Sequence, residues 1–386
     1  MKKAWKSLDY SLMLPLIILC AIGAIMVYSA SSILVLKQYT KQDFAANHFF
    51  YLQLRSMALG FVALIVMYVL PISIWKKRAI SLFLMITTTI LLVLVLWKGT
   101  VVNNAQSWIF GIQPAEFTKL AVIFALARFF AKKHETSHSI IRGVGGIGLF
   151  LAINLYLIDK QPDLGMVILL MCIIVSITLC SGIRLSMVFK RLVITAVVWV
   201  PLLYYVVMHK LSKVQMARIQ TFLNPFANPQ KEGFQLIQSL VAINSGGFFG
   251  VGLGNSIQKT GYLPEPHTDF IMAVISEELG FFGIAVILLA LATLVFRSFQ
   301  LARKSQDPFS SLVAIGVGSM IGFQVMVNVG GITGLMPLTG VPVPFISYGG
   351  SSLLVNMAAV GLLLNISARV KEQQSITQKP KLSAVN

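Results

Sequence analysis

Charge is what this sequence has least of. Asp, Glu, Lys and Arg make up 11% of its 386 residues, where a soluble domain carries about a quarter. A chain this poor in charge cannot clothe a water-facing surface, which excludes an ordinary soluble enzyme. Acids are scarcer still, 13 against 31 Lys and Arg. Cysteine is nearly absent, and Cys20, Cys172 and Cys180 all fall inside apolar runs, where a thiol behaves as a small hydrophobe. No even-numbered extramembrane set remains, which argues against a disulfide framework or a cysteine metal site. Histidine is equally sparse: His134 and His138 are helically spaced in a polar loop, but two ligands without a third do not make a zinc site. Long polar stretches are lacking as well, with the single exception of residues 211–270.

What is present is hydrocarbon, 56% of the residues. The apolar runs repeatedly reach the roughly 20 residues that a helix needs to cross about 30 Å of bilayer. They predict an all-α polytopic membrane protein of about ten spans: 9–33, 49–70, 77–97, 114–131, 143–158, 163–182, 188–208, 268–297, 309–332 and 347–368. The first run, preceded by Lys2, Lys3 and Lys6 and ending in Tyr28-Ser-Ala-Ser-Ser32, has the outline of a signal peptide. It reads better as an uncleaved span, because the charge pattern needs it.

The net charge of +18 could suggest nucleic acid, yet the bases sit in short clusters between apolar runs and no basic helix or aromatic-basic face appears. They serve as topology signals instead. With the N-terminus inside, alternate loops hold Lys76/Lys77/Arg78, Lys132/Lys133/Arg142, Arg184/Lys190/Arg191, Arg297/Arg303/Lys304 and Arg369/Lys371/Lys379/Lys381. Both termini are then expected in the cytoplasm. One large loop, about 209–267, faces the exterior with the loops near 34–48, 98–113 and 333–346. Residues 1–370 read as a single transmembrane domain and 371–386 as a short disordered tail. Within the large loop, 224–229 reads as turns and 234–243 as a helix against the membrane surface.

Acids near the outer edge of the spans are Glu116, Asp159, Asp163, Glu265, Asp269, Glu277 and Glu278. Asp269 ends the run Tyr262-Leu-Pro-Glu-Pro-His-Thr-Asp-Phe270, where an apolar helix begins. A carboxylate entering a bilayer is costly unless it is paired or used. Either Asp269 caps the helix N-terminus, or it is a general base kept ionised within reach of a substrate hydroxyl. Helical rise puts it about 12 Å beyond Glu277, near the head groups. Pro114 opens the fourth span, with Glu116 and Lys119 three apart on one face. They are expected to form an ion pair, structural or phosphate-holding, and Arg55 at the outer end of the second span could join it. Asp163 most simply caps the sixth span. The glycine-rich 246–254 run lacks the βαβ setting of a dinucleotide loop and reads as tight turns. Residues 330–352 are too apolar for a loop and too rich in Gly and Pro for a helix, which leaves a re-entrant turn or the wall of a cavity.

These stretches resemble the SEDS family of membrane glycosyltransferases (shape, elongation, division and sporulation) over nearly the whole chain. The likeness rests on Gly252-Leu-Gly-Asn-Ser-Ile-Gln-Lys259, Tyr262-Leu-Pro-Glu265, His267-Thr-Asp-Phe-Ile271, Glu277-Glu-Leu-Gly280 and Pro344-Phe-Ile-Ser-Tyr-Gly-Gly-Ser-Ser352. The wording is closer to the cell-division FtsW branch than to the elongation RodA branch. The resemblance implies polymerisation of lipid II by an inverting single displacement, with Asp269 as catalytic residue and Glu116 and Lys119 in support. His267 and Ser351 lie within the matched motifs and join the substrate-binding candidates. Countercharge for the leaving pyrophosphate could come from Lys119, Arg55, Lys259 or Arg218, or from a divalent cation such as Mg or Mn; no other cofactor is implied. A class B penicillin-binding transpeptidase and other division proteins are the implied partners. Two departures stand beside Glu116: Ser107 where the family often has Arg, and Ala115 where it has Ser. A lipid-precursor flippase is the rival reading, but the Gly/Pro interruptions lie mainly on the outer side and no repeat is evident.

Overall fold

A computed structural model describes residues 8–38, 47–102, 105–135, 140–182, 213–230 and 233–378. Eleven helices of more than one turn organise them, nine of which match expected spans. These are α1 (Tyr10–Gln38), α2 (His48–Val69), α3 (Arg78–Lys98), α4 (Pro114–Glu135), α5 (Ile140–Asp159) and α6 (Leu164–Cys180), then α9 (Ile271–Lys304), α10 (Pro308–Ile332) and α11 (Gly350–Gln378). The expected seventh span, 188–208, and His138 lie outside the described residues. Between α6 and α9 stand two shorter helices of the large loop, α7 (Lys213–Leu223) and α8 (Phe234–Gly246). The loop turns behave as their residues dictate: the Asn224 side chain accepts from Phe226 N at 3.2 Å and caps a 3-10 turn over Pro225–Ala227. One β ribbon, Thr100–Val102 against Ala105–Trp108, fills the loop before α4.

Composition sorts the helices into interior and rim. Six of them are long and apolar enough to cross a membrane. In the apolar windows of α11 and α10, 83% and 72% of residues are buried, against 17% and 22% for α2 and α3. The first two therefore form the core, and the second two turn their leucines, valines and phenylalanines outward, as lipid-facing helices do. α4 carries too much charge to pass as a lipid-facing span, and it is enclosed instead: Ala121 to Ala127 are all buried. Close approach inside the bundle relies on small residues; a Cβ on Gly361 of α11 would lie 2.4 Å from the Leu64 carbonyl of α2.

α11 corrects one expectation. It runs on to Gln378, eight residues into the stretch read as a disordered tail, because no Pro or Gly interrupts it after Gly361. At the end of the bundle remote from Asp269, Arg297 of α9 meets Asp9 at 2.7 Å, Ser367 of α11 donates to the same carboxylate, and Lys76 meets Asp307 at 2.7 Å.

α9 is broken at Gly280, whose φ of 66° and ψ of −162° no helix contains. The break frees backbone groups that must find partners, and the glycine-rich turn 247–252 supplies them. Val251 N and Gly252 N donate to the carbonyls of Glu277 and Glu278, while Phe281 N and Phe282 N donate to those of Gly247 and Phe248. The glycine is obligatory: a Cβ at Gly280 would stand 2.4 Å from Gly250 N.

Candidate active site

Asp269 sits just before the first turn of α9, and its side chain is not the cap of that helix. The cap position is Phe270, with no side-chain hydrogen bond, and the first amides, those of Ala273 and Val274, turn to the Phe270 carbonyl. The Asp269 carboxylate makes no hydrogen bond or ion pair among the described residues, yet it is only partly exposed. Every other non-exposed acid with a described side chain has a partner. Asp9 pairs with Arg297, Glu116 with Lys119, Glu278 with Lys259 and Asp307 with Lys76. Asp163 accepts from Met166 N at 3.0 Å, Glu265 from the Thr268 hydroxyl at 3.0 Å and Glu277 from Ile257 N at 3.0 Å. Asp269 alone is held close to protein and left chemically free.

Its surroundings set its acidity. Burial, reinforced by Glu265, pushes the carboxyl up to about 7, while Arg218 pulls the other way. Arg218 projects from α7 of the large loop and donates to the Thr339 carbonyl at 3.4 Å. That carbonyl belongs to a three-residue strap, Thr339-Gly340-Val341. Gly340, at φ 76°, passes so near that a Cβ there would lie 3.5 Å from Asp269 Oδ2, and Gly165 of α6 packs on Thr339 from the other side.

The strap is part of the apolar Gly/Pro stretch before α11; Thr339 and Val341 on either side are buried, while Gly340 itself is exposed. Val341, Val343, Phe345, Ile346 and Ser347 are all buried. Tyr348 N donates to His267 O at 2.9 Å, Val343 N to Ser347 Oγ at 2.9 Å and Gln53 Nε2 to Ser347 O at 3.5 Å. The stretch is tied into the bundle rather than free, and its Gly340 lies against Asp269.

Behind Asp269 lies a second polar layer. Asp163 caps α6, as the sequence suggests, but it also feels the charges of Glu116, Arg218 and Lys119, and burial pushes it up to about 6. Gln113 links this layer to α11: its side-chain amide donates to Asp163 Oδ2 at 3.4 Å, and its backbone N–H donates to Ser351 Oγ at 3.0 Å. Glu116 and Lys119 form the expected pair at 2.6 Å, both sealed from solvent. Beyond each other, their charged atoms have no hydrogen-bond partner among the described residues.

His267 is buried between Phe49, 4.4 Å away centroid to centroid, and Tyr348, at 5.5 Å. Burial lowers it to about 4, so it stays neutral, and its Nδ1 is unpartnered among the described residues. The structure thus brings Asp269 near Arg218 and Asp163, and links Asp163 to Glu116, Lys119 and, through Gln113, Ser351, while His267 joins the same stretch of chain through Tyr348. Two candidates stand apart. Arg55 is exposed on α2, and no contact among the described residues joins it to the group. Lys259 is 2% exposed and fully engaged: its ammonium meets Glu278 at 2.5 Å and donates to Ser29 Oγ at 2.9 Å, pinning the loop to α9 and α1. A buried, paired cation is a structural device here. No group of three or more His, Cys, Asp or Glu side chains that could cage a metal occurs among the described residues.

Asn328 and Gly340, which frame Asp269, were not candidates on sequence. An amide in an apolar span, one of two on α10 with Gln324, was the available signal for the first, and a glycine flanked by Thr339 and Val341 gave none for the second.

Known proteins resemble this chain in sequence and in fold. The chain is 40% identical, over 99% of its length and 96% of the relative's, to the probable peptidoglycan glycosyltransferase FtsW of Bacillus subtilis strain 168. It is 41% identical to stage V sporulation protein E of the same organism, over 93% of this chain and 96% of that protein. Among solved structures, a chain from work on the structural coordination of polymerization and crosslinking by a peptidoglycan synthase complex superposes with a TM-score of 0.73 at 26% identity, covering 94% of this chain and 98% of that one. The rod shape determining protein RodA of Thermus thermophilus shares the fold at a TM-score of 0.65 and 24% identity, over 94% of this chain and 97% of that one. With the cell cycle protein profile that unites FtsW, RodA and SpoVE matching residues 10–372, the chain belongs to that family.

Proposed function

We propose that this protein polymerises lipid II into glycan strands on the outer face of the cytoplasmic membrane, in the service of cell division, with Asp269 as general base. The observation that carries the reading is the Asp269 carboxylate itself, only partly exposed yet bonded to none of the described residues. Asp269 accepts the proton from the 4-hydroxyl of the acceptor's N-acetylglucosamine as that oxygen attacks C1 of the donor's N-acetylmuramic acid. The bond from C1 to the phosphate oxygen breaks, the configuration at C1 inverts, and undecaprenyl pyrophosphate leaves. One carboxylate suffices for a single displacement; a retaining route would need a second about 5 Å away as nucleophile.

Arg218 is the favoured countercharge for the pyrophosphate, because its one hydrogen bond among the described residues is a long one to a neutral carbonyl. Glu116 and Lys119 act from the second layer, through Asp163, rather than on the substrate. A divalent Mg or Mn ion would be held chiefly by the pyrophosphate oxygens and water, where it would supply further countercharge. The positive-inside pattern supports cytoplasmic termini and an outward site. The FtsW and synthase-complex relatives support a division role and a class B penicillin-binding transpeptidase as partner.

The test uses purified protein with labelled lipid II, alone and with its cognate transpeptidase, comparing the native chain with Asp269→Asn. Polymer from the native chain and none from Asp269→Asn is expected. Equal polymer from both removes the base assignment, and translocation without polymer replaces the enzyme with a flippase.

A further inference from the structure

One buried amide touches both the backbone of the base and the wall beside it. Asn328 of α10 is 5% exposed and uses both hydrogens of Nδ2: one goes to the Asp269 carbonyl at 2.9 Å, the other to the Val341 carbonyl at 2.8 Å. The Asp269 carbonyl is available because the first amides of α9 turn to Phe270 instead. The Val341 carbonyl belongs to the strap, one residue after Gly340, which lies against Asp269 Oδ2. The other end of the amide, Oδ1, has no partner among the described residues, so the interactions of this side chain all run through its donor side.

We propose that Asn328 is a positioning residue for Asp269: its single nitrogen spans the backbone of the base and the 339–341 strap and fixes the carboxylate against the wall it works beside. This rests on the reading of Asp269 as base. A bland alternative is that Asn328 merely satisfies two carbonyls in buried irregular backbone. The two differ in what they predict. If positioning is the role, loss of the amide disturbs turnover and the ionisation of Asp269 more than it disturbs the fold. The charged groups that face Asp269 are Glu265 from its own loop, Arg218 from α7 and Asp163 from the cap of α6. Among the described residues Glu265 and Asp163 have no bond to the strap, whereas Arg218 donates to its Thr339 carbonyl. What is lost is the closeness of the strap, and a better hydrated Asp269 returns toward the ordinary carboxylate range.

The experiment compares native protein, Asn328→Ala, Asn328→Gln, Gln324→Ala and Asp269→Asn with labelled lipid II across pH 5.5 to 8.5, with detergent melting curves alongside. Gln324 is the control: one helical turn away on α10, it is fully buried and unpartnered among the described residues. For Asn328→Ala, kcat should fall about tenfold to a hundredfold, the scale of a misplacement near 1 Å. KM should stay within about twofold, and the acid limb of the rate profile should move down by about half a pH unit or more. Asn328→Gln, which keeps the donor, should recover part of kcat and the native acid limb; Gln324→Ala should leave both within about twofold. Native turnover in Asn328→Ala, an unmoved acid limb, no recovery in Asn328→Gln, or the same loss in Gln324→Ala would each overturn the proposal. Native turnover in Asp269→Asn is a separate failure, that of the base assignment itself.

Discussion

An enclosed carboxylate without a partner destabilises the protein that keeps it, and Asp269 should show that cost. Between its ordinary value of 3.8 and about 7 the folded chain holds a proton that the unfolded chain has released. The unfolded state therefore binds fewer protons, stability falls as pH rises through that window, and it levels off above it. Asp269→Asn removes the charge and the loss with it. Its detergent melting temperature should exceed the native one by a few degrees at pH 8 and coincide with it near pH 4.5. Activity runs the opposite way. Because the base must be ionised, the polymerisation rate should climb about tenfold per pH unit below 7 and flatten above it, which a rate profile with lipid II well below its KM would show. Asp269 was legible in the sequence as an acid at a membrane edge. Whether it capped a helix was not, because capping is decided by which carbonyl the first amides choose. Asn328 and Gly340 were illegible for a related reason: Asn328 meets Asp269 across 59 residues of chain and Gly340 from farther still, and no local pattern encodes that meeting.

At the scale of the element, helices were readable from apolar length, and what interrupts them was not. Gly280 stands in a motif visible in the sequence, but a glycine in an apolar run is commonplace in membrane helices. The break becomes intelligible only with the 247–252 turn laid across it. Lys259 shows the same limit. Its position in a polar loop suggested a hand for the pyrophosphate, whereas the fold buries it against Glu278 and Ser29. Lys259→Met alone leaves the Glu278 carboxylate buried without its cation and should cost about 3–5 kcal/mol. Pairing Lys259→Met with Glu278→Leu should restore most of that, in melting curves and in turnover alike. If Lys259 instead served the pyrophosphate, the double variant would regain stability and stay inactive.

At the scale of the molecule, charge bias and hydrophobic length were enough to lay out a bundle of membrane spans, while its rim of lipid-facing helices and its core of α4, α10 and α11 emerge only from burial in the fold. The sequence could not tell core from rim, since membrane helices of either kind are apolar; α4 was the exception, betrayed by its charges. Orientation can be checked directly. With Cys180, exposed at the end of α6, replaced by Ser, a membrane-impermeant maleimide should label Asn255→Cys in intact cells and Glu372→Cys only after permeabilisation. Labelling in the reverse order would turn the bundle over and remove the outward-facing site.

The turn laid across Gly280 has a practical consequence for anyone who edits this protein. Residues 247–252 complete the hydrogen bonding of a transmembrane helix, so they belong to that helix in every respect except covalent order. A reporter or epitope spliced there would cut into the span itself, however external the address looks on a topology diagram. The neighbouring chain around Asn224 and Pro229, whose turns close on themselves, is the safer place for cargo.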